Sequence, residues 1–213
     1  LSETKNSKKL IELIKNKKIK TYVGCNMRFN PCIKYLKKNL SSNTPNEVNI
    51  YHGSFLPNWR KGDYKKQYSS TSNRGGGVHL DLIHEIDYCI WLFGFPEKIS
   101  NIYRSNSSLK IDSIDYASHQ LFYKNFNAGI ILNYYRKDIK RQLEILYEEK
   151  TIEVDLQENI IKSNGDIIFQ KKINKDQMYI DQMNFFIRNL KKINEYKNNF
   201  SHNSRILELI LDD

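Results

Sequence analysis

The sequence predicts an α+β chain: an open, mainly antiparallel sheet with helices on one face. Residues Glu97 to Lys172 read as a succession of short strands parted by turn-rich steps. Apolar residues at helical spacing flank that block on both sides. No Gly-x-Gly-x-x-Gly follows a strand, so a complete dinucleotide-binding unit is absent.

In order, residues 7 to 17 read as a helix and Lys20 to Asn26 as a short strand. Pro31, a residue suited to the first helical position, opens a helix to about Leu40. The polar loop Ser41 to Asn46 leads to a strand from Glu47 to Phe55, then to an irregular aromatic segment, Leu56 to Tyr64, of the kind that lines sites. A helix is expected from Val78 to Phe93, stopped by Gly94 and Pro96. Strands come next at Lys98 to Ser105, Tyr116 to Tyr123, Ala128 to Tyr135 and Arg141 to Tyr147. The last three are Lys150 to Leu156, Asn159 to Lys162 and Ile167 to Lys171. Glu148-Glu149-Lys150 and Ser163-Asn164-Gly165-Asp166 look like tight connections, so consecutive strands are expected to pair as a meander. Residues 176 to 192 form an amphipathic helix whose Met178, Met183 and Phe186 are expected in the core. A last helix starts near Ser201 and is still running at Asp213.

The chain has 213 residues, enough for one substantial domain with a proper core. No apolar run approaches a membrane span, the first residues lack the order of a signal peptide, and three cysteines form no disulfide framework. A reducing cytoplasm is the plain expectation. The 34 basic and 24 acidic residues leave a formal net charge of +10. The lysines are scattered as pairs without a recognition helix or zinc-finger spacing, so a solvated surface is preferred over a nucleic-acid groove. Cys25, Cys32 and Cys89 read as buried hydrophobes, and no metal site is expected.

The chemistry-bearing stretch is Gly75-Gly76-Gly77-Val78-His79-Leu80-Asp81-Leu82-Ile83-His84-Glu85-Ile86-Asp87-Tyr88. At roughly 100° per residue, Asp81, His84, Glu85 and Tyr88 share one helix face, opposite Ile83, Ile86, Ile90 and Phe93. A histidine there can exchange protons near neutral pH with a carboxylate tuning it. His84 is thus an acid–base candidate, against a structurally satisfied histidine. The glycines make either a tight turn or a close approach to a ligand. His79 falls on the apolar side, for packing or hinge capping. Asp87 anchors the helix or orients the imidazole. Arg28 is a buried ion-pair partner or a ligand contact. Trp59 and Tyr64 cap a loop or face the apolar side of a sugar ring.

These residues resemble the C-terminal part of the Gfo/Idh/MocA family of NAD(P)-dependent oxidoreductases. Leu1-Ser2 looks like the continuation of that family's Glu-Lys-Pro segment, and Gly24 to Pro31 resembles its Arg-Phe-x-Pro step. The glycine-rich entry to the Asp/His helix and the sheet with its return helix complete the likeness. Leu56-Pro57-x-Trp59 with Asp63-Tyr64 looks most like a branch linked to sialic-acid-type and surface-polysaccharide sugars. One departure stands out: Asp81 and His84 are three apart, where the family pattern has four.

The resemblance implies that residues 1–25 are the remnant helix and strand of a Rossmann domain. Residues 26–213 would be the substrate and oligomerisation domain, truncated at its last helix. It implies hydride transfer between NAD or NADP and a secondary alcohol of a small-molecule sugar or nucleotide sugar. His84 and Asp81 would be catalytic, Arg28, Trp59, Tyr64 and Asp87 would bind substrate, and Arg28, Gly76 and Gly77 would meet the cofactor. The cofactor would be held mainly by a domain upstream of Leu1, so this fragment alone is expected to be inactive. The rival reading is a non-catalytic sugar-binding or assembly module. Residues Ile130 to Tyr135 are apolar on both alternating faces, which favours a homo-oligomer through the open sheet face.

Overall fold

A computed structural model describes residues 3–40, 43–196 and 198–211. Leu1, Ser2, Ser41, Ser42, Lys197, Asp212 and Asp213 lie outside them, and with them the expected start of the polar loop and the course of the last helix to Asp213. Helix α1 (Ser7–Asn16) is followed by residues 19–25 in no regular element, which differs from the expected strand. A strand needs a ladder partner, and none of the eight described strands lies beside this segment. It is held instead by the Val23 N–H donating to the Asn198 carbonyl at 2.7 Å and by Tyr22 packing on Phe185 and Phe186.

A 3₁₀ turn, Asn26–Phe29, leads into α2 (Pro31–Asn39). Pro31 does open that helix, and the Asn30 side chain caps it by accepting from the Cys32 and Ile33 amides at 2.9 and 3.3 Å. Strand β1 (Glu47–Phe55) comes next, then a run of 3₁₀ turns to Arg74. The expected helix from Val78 to Phe93 is two helices, α3 (Val78–Asp81) and α4 (His84–Phe93), broken at Leu82 and Ile83. Gly94 ends α4 at φ 88° with its amide on Ile90, as the stop signal predicts.

The sheet continues with β2 (Lys98–Arg104), β3 (Tyr116–Phe122), β4 (Asn127–Asn133) and β5 (Tyr135–Leu146). It closes with β6 (Thr151–Asp155), β7 (Ile160–Ser163) and β8 (Asp166–Gln170). Its order is β2-β3-β4-β1-β5-β6-β7-β8, so the expected meander is interrupted. β1 enters between β4 and β5, parallel to the first and antiparallel to the second. Sequence periodicity reads each strand's faces but not which strand becomes its neighbour.

Val48, Ile50, Leu121, Ile130, Leu132, Leu143 and Ile145 form the inner sheet face, all at most 2% exposed. They join one core cluster with Ile33 and Leu36 of α2, Ile86 and Ile90 of α4, and Ile206, Leu207 and Ile210 of α6 (Phe200–Leu211). Burial of each such side chain stabilises by roughly 1.5–3 kcal/mol. Cys25, Cys32 and Cys89 are free and buried, the last two within that cluster. On the outer face Ile131 and Tyr135 are exposed, whereas Asn133 is buried and donates to the Tyr51 hydroxyl.

Helix α5 (Gln177–Arg188) corrects another expectation. It has no buried residue: Met178 is half-buried against the core, Phe186 packs on Tyr22, and Met183 is 55% exposed.

Candidate functional site

The break at Leu82–Ile83 decides the local geometry. Asp81 ends α3 and His84 begins α4, so the two do not share one continuous helix face. The expected division of that face is also corrected. Glu85 and Tyr88, placed with the chemistry, are as fully buried as Ile86, while Ile83 and Phe93 are only half-buried. The cause is tertiary: α4 lies between the sheet and neighbouring helices, so its polar side needs buried partners too.

Those partners come from the sheet. His52 on β1 and Arg141 on β5 are cross-strand neighbours facing inward. Arg141 Nε donates to Glu85 Oε1 at 2.6 Å, and His52 Nδ1 lies 3.0 Å from the same oxygen. Burial alone would raise the Glu85 pKa, but Arg141 and His52 outweigh it and bring it down to about 2. Glu85 is therefore a carboxylate, with Oε2 buried and without a hydrogen-bond partner.

Two residues on, Asp87 and Arg28 bind each other. Arg28 Nε and Nη2 donate to the two Asp87 oxygens at 2.9 and 2.5 Å, with both residues buried. This bidentate pair ties α4 to the 3₁₀ turn before α2. Asp81 Oδ2 accepts from the hydroxyl of Tyr134, a fully buried residue between β4 and β5, at 2.6 Å. Trp59 crosses the Tyr134 ring edge-on at 5.2 Å and donates to the Ser54 hydroxyl, and Tyr64 donates to the Leu109 carbonyl.

His84 itself is half-buried at the first position of α4. Burial lowers its pKa most; Glu85 opposes that, and Arg141 adds to it. The imidazole is thus held in its neutral, proton-accepting form at neutral pH.

The glycines are explained by the chain's own packing. A Cβ at Gly76 would lie 2.1 Å from the Tyr68 carbonyl oxygen, and at Gly77, φ 135°, 2.6 Å from the His79 ring. His79 is buried, as its apolar position implies, against Tyr103, which also meets His119. Burial takes His79 down to about 4, against Asp81, and His119 down to about 3, with His79 adding to the effect.

Sequence reasoning missed His52, Arg141, Tyr134 and His119. His52 alternates with the inward Val48 and Ile50, and Arg141 with the inward Leu143 and Ile145, so their burial was readable from period-2 spacing. Their shared acid was not, because it arrives from another element. Among the described residues no group of three or more potential metal ligands forms a site.

The profile of the Gfo/Idh/MocA oxidoreductase family's C-terminal alpha/beta domain matches residues 37–205. No curated protein matches the sequence. The fold resembles UDP-N-acetylglucosamine 3-dehydrogenase from Acidithiobacillus ferrooxidans, at 16% identity and a TM-score of 0.73, over 96% of this chain and 64% of that one. It resembles aldose-aldose oxidoreductase from Caulobacter crescentus, at 17% identity and TM-score 0.78, over 98% and 64%. It also resembles the dehydrogenase WlbA from Bordetella pertussis, solved with NADH and UDP-GlcNAcA, at 16% and 0.72, over 98% and 64%. The chain thus spans 64% of the length of each of these relatives. At such identities the structures speak for the fold, and the profile, matching most of the chain, decides the family: this chain belongs to the Gfo/Idh/MocA oxidoreductases, as their C-terminal alpha/beta domain.

Proposed function

We propose that this chain is the substrate-binding half of a nicotinamide-dependent oxidoreductase acting on a secondary alcohol of a sugar or nucleotide sugar. His84 is its acid–base group. The observation that carries this reading is a half-buried, neutral imidazole at the start of α4, a helix held by the buried Arg28–Asp87 pair and the part-buried Arg141–Glu85 pair. Hydride leaves a carbinol carbon readily only if the hydroxyl proton leaves too, and a fixed neutral histidine can take it. Asp81, oriented by Tyr134, keeps Oδ1 for a substrate hydroxyl. Arg28 and Asp87 act by positioning α4, and Trp59 and Tyr64 offer half-buried aromatic surface to a sugar ring.

The cofactor, NAD or NADP, supplies the hydride acceptor, and in this reading a nucleotide-binding domain outside these residues holds most of it. Residues 3–211 then do not turn over alone. Gly76 and Gly77 shape the turn that the nicotinamide approaches. The sheet's outer face, with Ile102, Ile131 and Tyr135 exposed, serves a second copy. One relative is a UDP-N-acetylglucosamine 3-dehydrogenase and another is solved with UDP-GlcNAcA, which supports the nucleotide-sugar class. A cytoplasmic setting fits a nicotinamide enzyme; no described helix is long and apolar enough to cross a membrane.

The test is His84→Ala in the protein carrying its nucleotide-binding domain, with turnover read from the absorbance of reduced nicotinamide. Turnover should drop by about 10²- to 10⁴-fold with cofactor affinity unchanged. Unaltered turnover removes His84 from the chemistry, and no turnover of any nucleotide sugar by the unmutated protein favours the non-catalytic binding module.

A further inference from the structure

A cleft of about 870 Å³ opens between α2, the segment after β8 and the start of α5, away from the Glu85 cluster. Its volume lies within the range of small-molecule sites. Its charge is one-sided. Lys34 and Lys38 border it from α2, Lys171 and Lys172 from the segment after β8. The one acid on its wall, Asp181, already accepts from the Gln177 amide at 2.8 Å. Four lysines therefore line the space against a single carboxylate, which leaves a net positive wall.

The cleft also has aromatic walls. Tyr35 and Phe169 pack together with ring centroids 4.6 Å apart, and Lys34 sits 6.0 Å over the ring of Phe29. Lys34 and Lys38 are one helical turn apart, on one face of α2, so their ammonium groups can bracket two linked phosphates. Flat apolar rings beside that pair suit a heterocyclic base. A bare anion would use the lysines and leave the rings idle; a long polyanion would need a basic track, and the remaining lysine pairs are scattered along the chain.

We infer that this lysine-lined cleft is a binding site for a nucleoside diphosphate, the group by which a nucleotide sugar would be held. The site rests on the nucleotide-sugar reading above. Phe29 belongs to the same 3₁₀ turn as Arg28, whose pair with Asp87 fastens that turn to α4, the helix that His84 begins.

Titration calorimetry of the chain with uridine diphosphate, without nicotinamide, tests the site. Binding is expected, weakening at least about tenfold in the double variant Lys34→Gln, Lys38→Gln and falling with added salt. Both lysines are exposed, so the fold survives their change, and an unaltered near-ultraviolet circular dichroism spectrum checks this. Inorganic pyrophosphate should bind at least about tenfold more weakly than uridine diphosphate, because it lacks the base. No uridine diphosphate binding overturns the proposal, as does binding indifferent to the two lysines. Pyrophosphate binding as tightly reduces the cleft to an anion patch, and an oligonucleotide outcompeting uridine diphosphate reassigns it; either overturns the proposal. Hydride transfer to a nucleotide sugar with KM unaltered by the lysine changes keeps the enzyme reading and sinks the cleft. Uridine diphosphate binding without hydride transfer does the reverse.

Discussion

Helices α4 and α5 carry apolar residues at the same helical spacing and end in opposite surroundings. On α4, Ile86, Cys89, Ile90 and Leu92 are buried, and so are the charged Glu85 and Asp87. On α5 no residue is buried, and Tyr179, Ile180, Met183 and Ile187 stand between 51% and 62% exposed. The difference teaches that periodicity tells which side of a helix is apolar, and says nothing about whether anything covers it. A helix laid against a sheet must also find partners for its polar side. α4 finds them in Arg141, His52 and Arg28.

The contrast is broken most directly at its charged end. Glu85→Ala leaves His52 and Arg141 facing inward without their acid, and should cost about 3–5 kcal/mol in urea unfolding. A loss below about 1 kcal/mol would show that the ion cluster does not hold α4. Acid should act in the same sense. His79 and His119 bind protons near pH 6.5 when unfolded but only near about 4 and about 3 when folded. From pH 6.5 down to about 4 the unfolded state holds more protons, so stability falls as pH falls through that window. Between pH 7 and 5 the loss should be about 2–4 kcal/mol by denaturant titration. Glu85, ionised in the fold down to about 2, extends that loss below its unfolded value near 4.3. A flat profile from pH 7 to 5 would mean that water reaches both rings.

Tyr134→Phe keeps the ring that Trp59 crosses and removes only the hydrogen bond to Asp81, with an expected loss of about 1–2 kcal/mol. The same variant sharpens the reading of the break at Leu82, because α3 is anchored through that oxygen. On α5, Met183→Ser and Ile187→Ser should each stay within about 0.5 kcal/mol of the unmutated chain. A larger loss, or one that grows with protein concentration, would show that a second copy covers this face.

Much of the fold was legible. The cap at Asn30-Pro31, the Gly94 stop, the strand pattern from Glu97 onward and the buried cysteines all come from short-range chemistry. The candidate site was legible in part, as residues of the stretch Gly75 to Tyr88, but neither its arrangement nor its partners His52, Arg141 and Tyr134 were. Arg28 was picked out with an ion pair among its readings and Asp87 as an anchor of its helix, and a pair between the two is what forms, while Tyr134 and Arg141, which meet Asp81 and Glu85, lie 53 and 56 residues away.

By itself the sequence determined most of the helical segments, which strand residues alternate, and where caps and stops fall, and it marked Gly75 to Tyr88 as the candidate site. Those properties rest on local dihedral preference and periodicity, which act within a turn or two. Only the tertiary structure decided that β1 enters between β4 and β5, that the helix breaks before His84, that Glu85 meets two basic groups, and that α5 shows its apolar face to solvent. These outcomes depend on which distant surfaces meet, because desolvation and charge pairing are set by neighbours in space rather than along the chain.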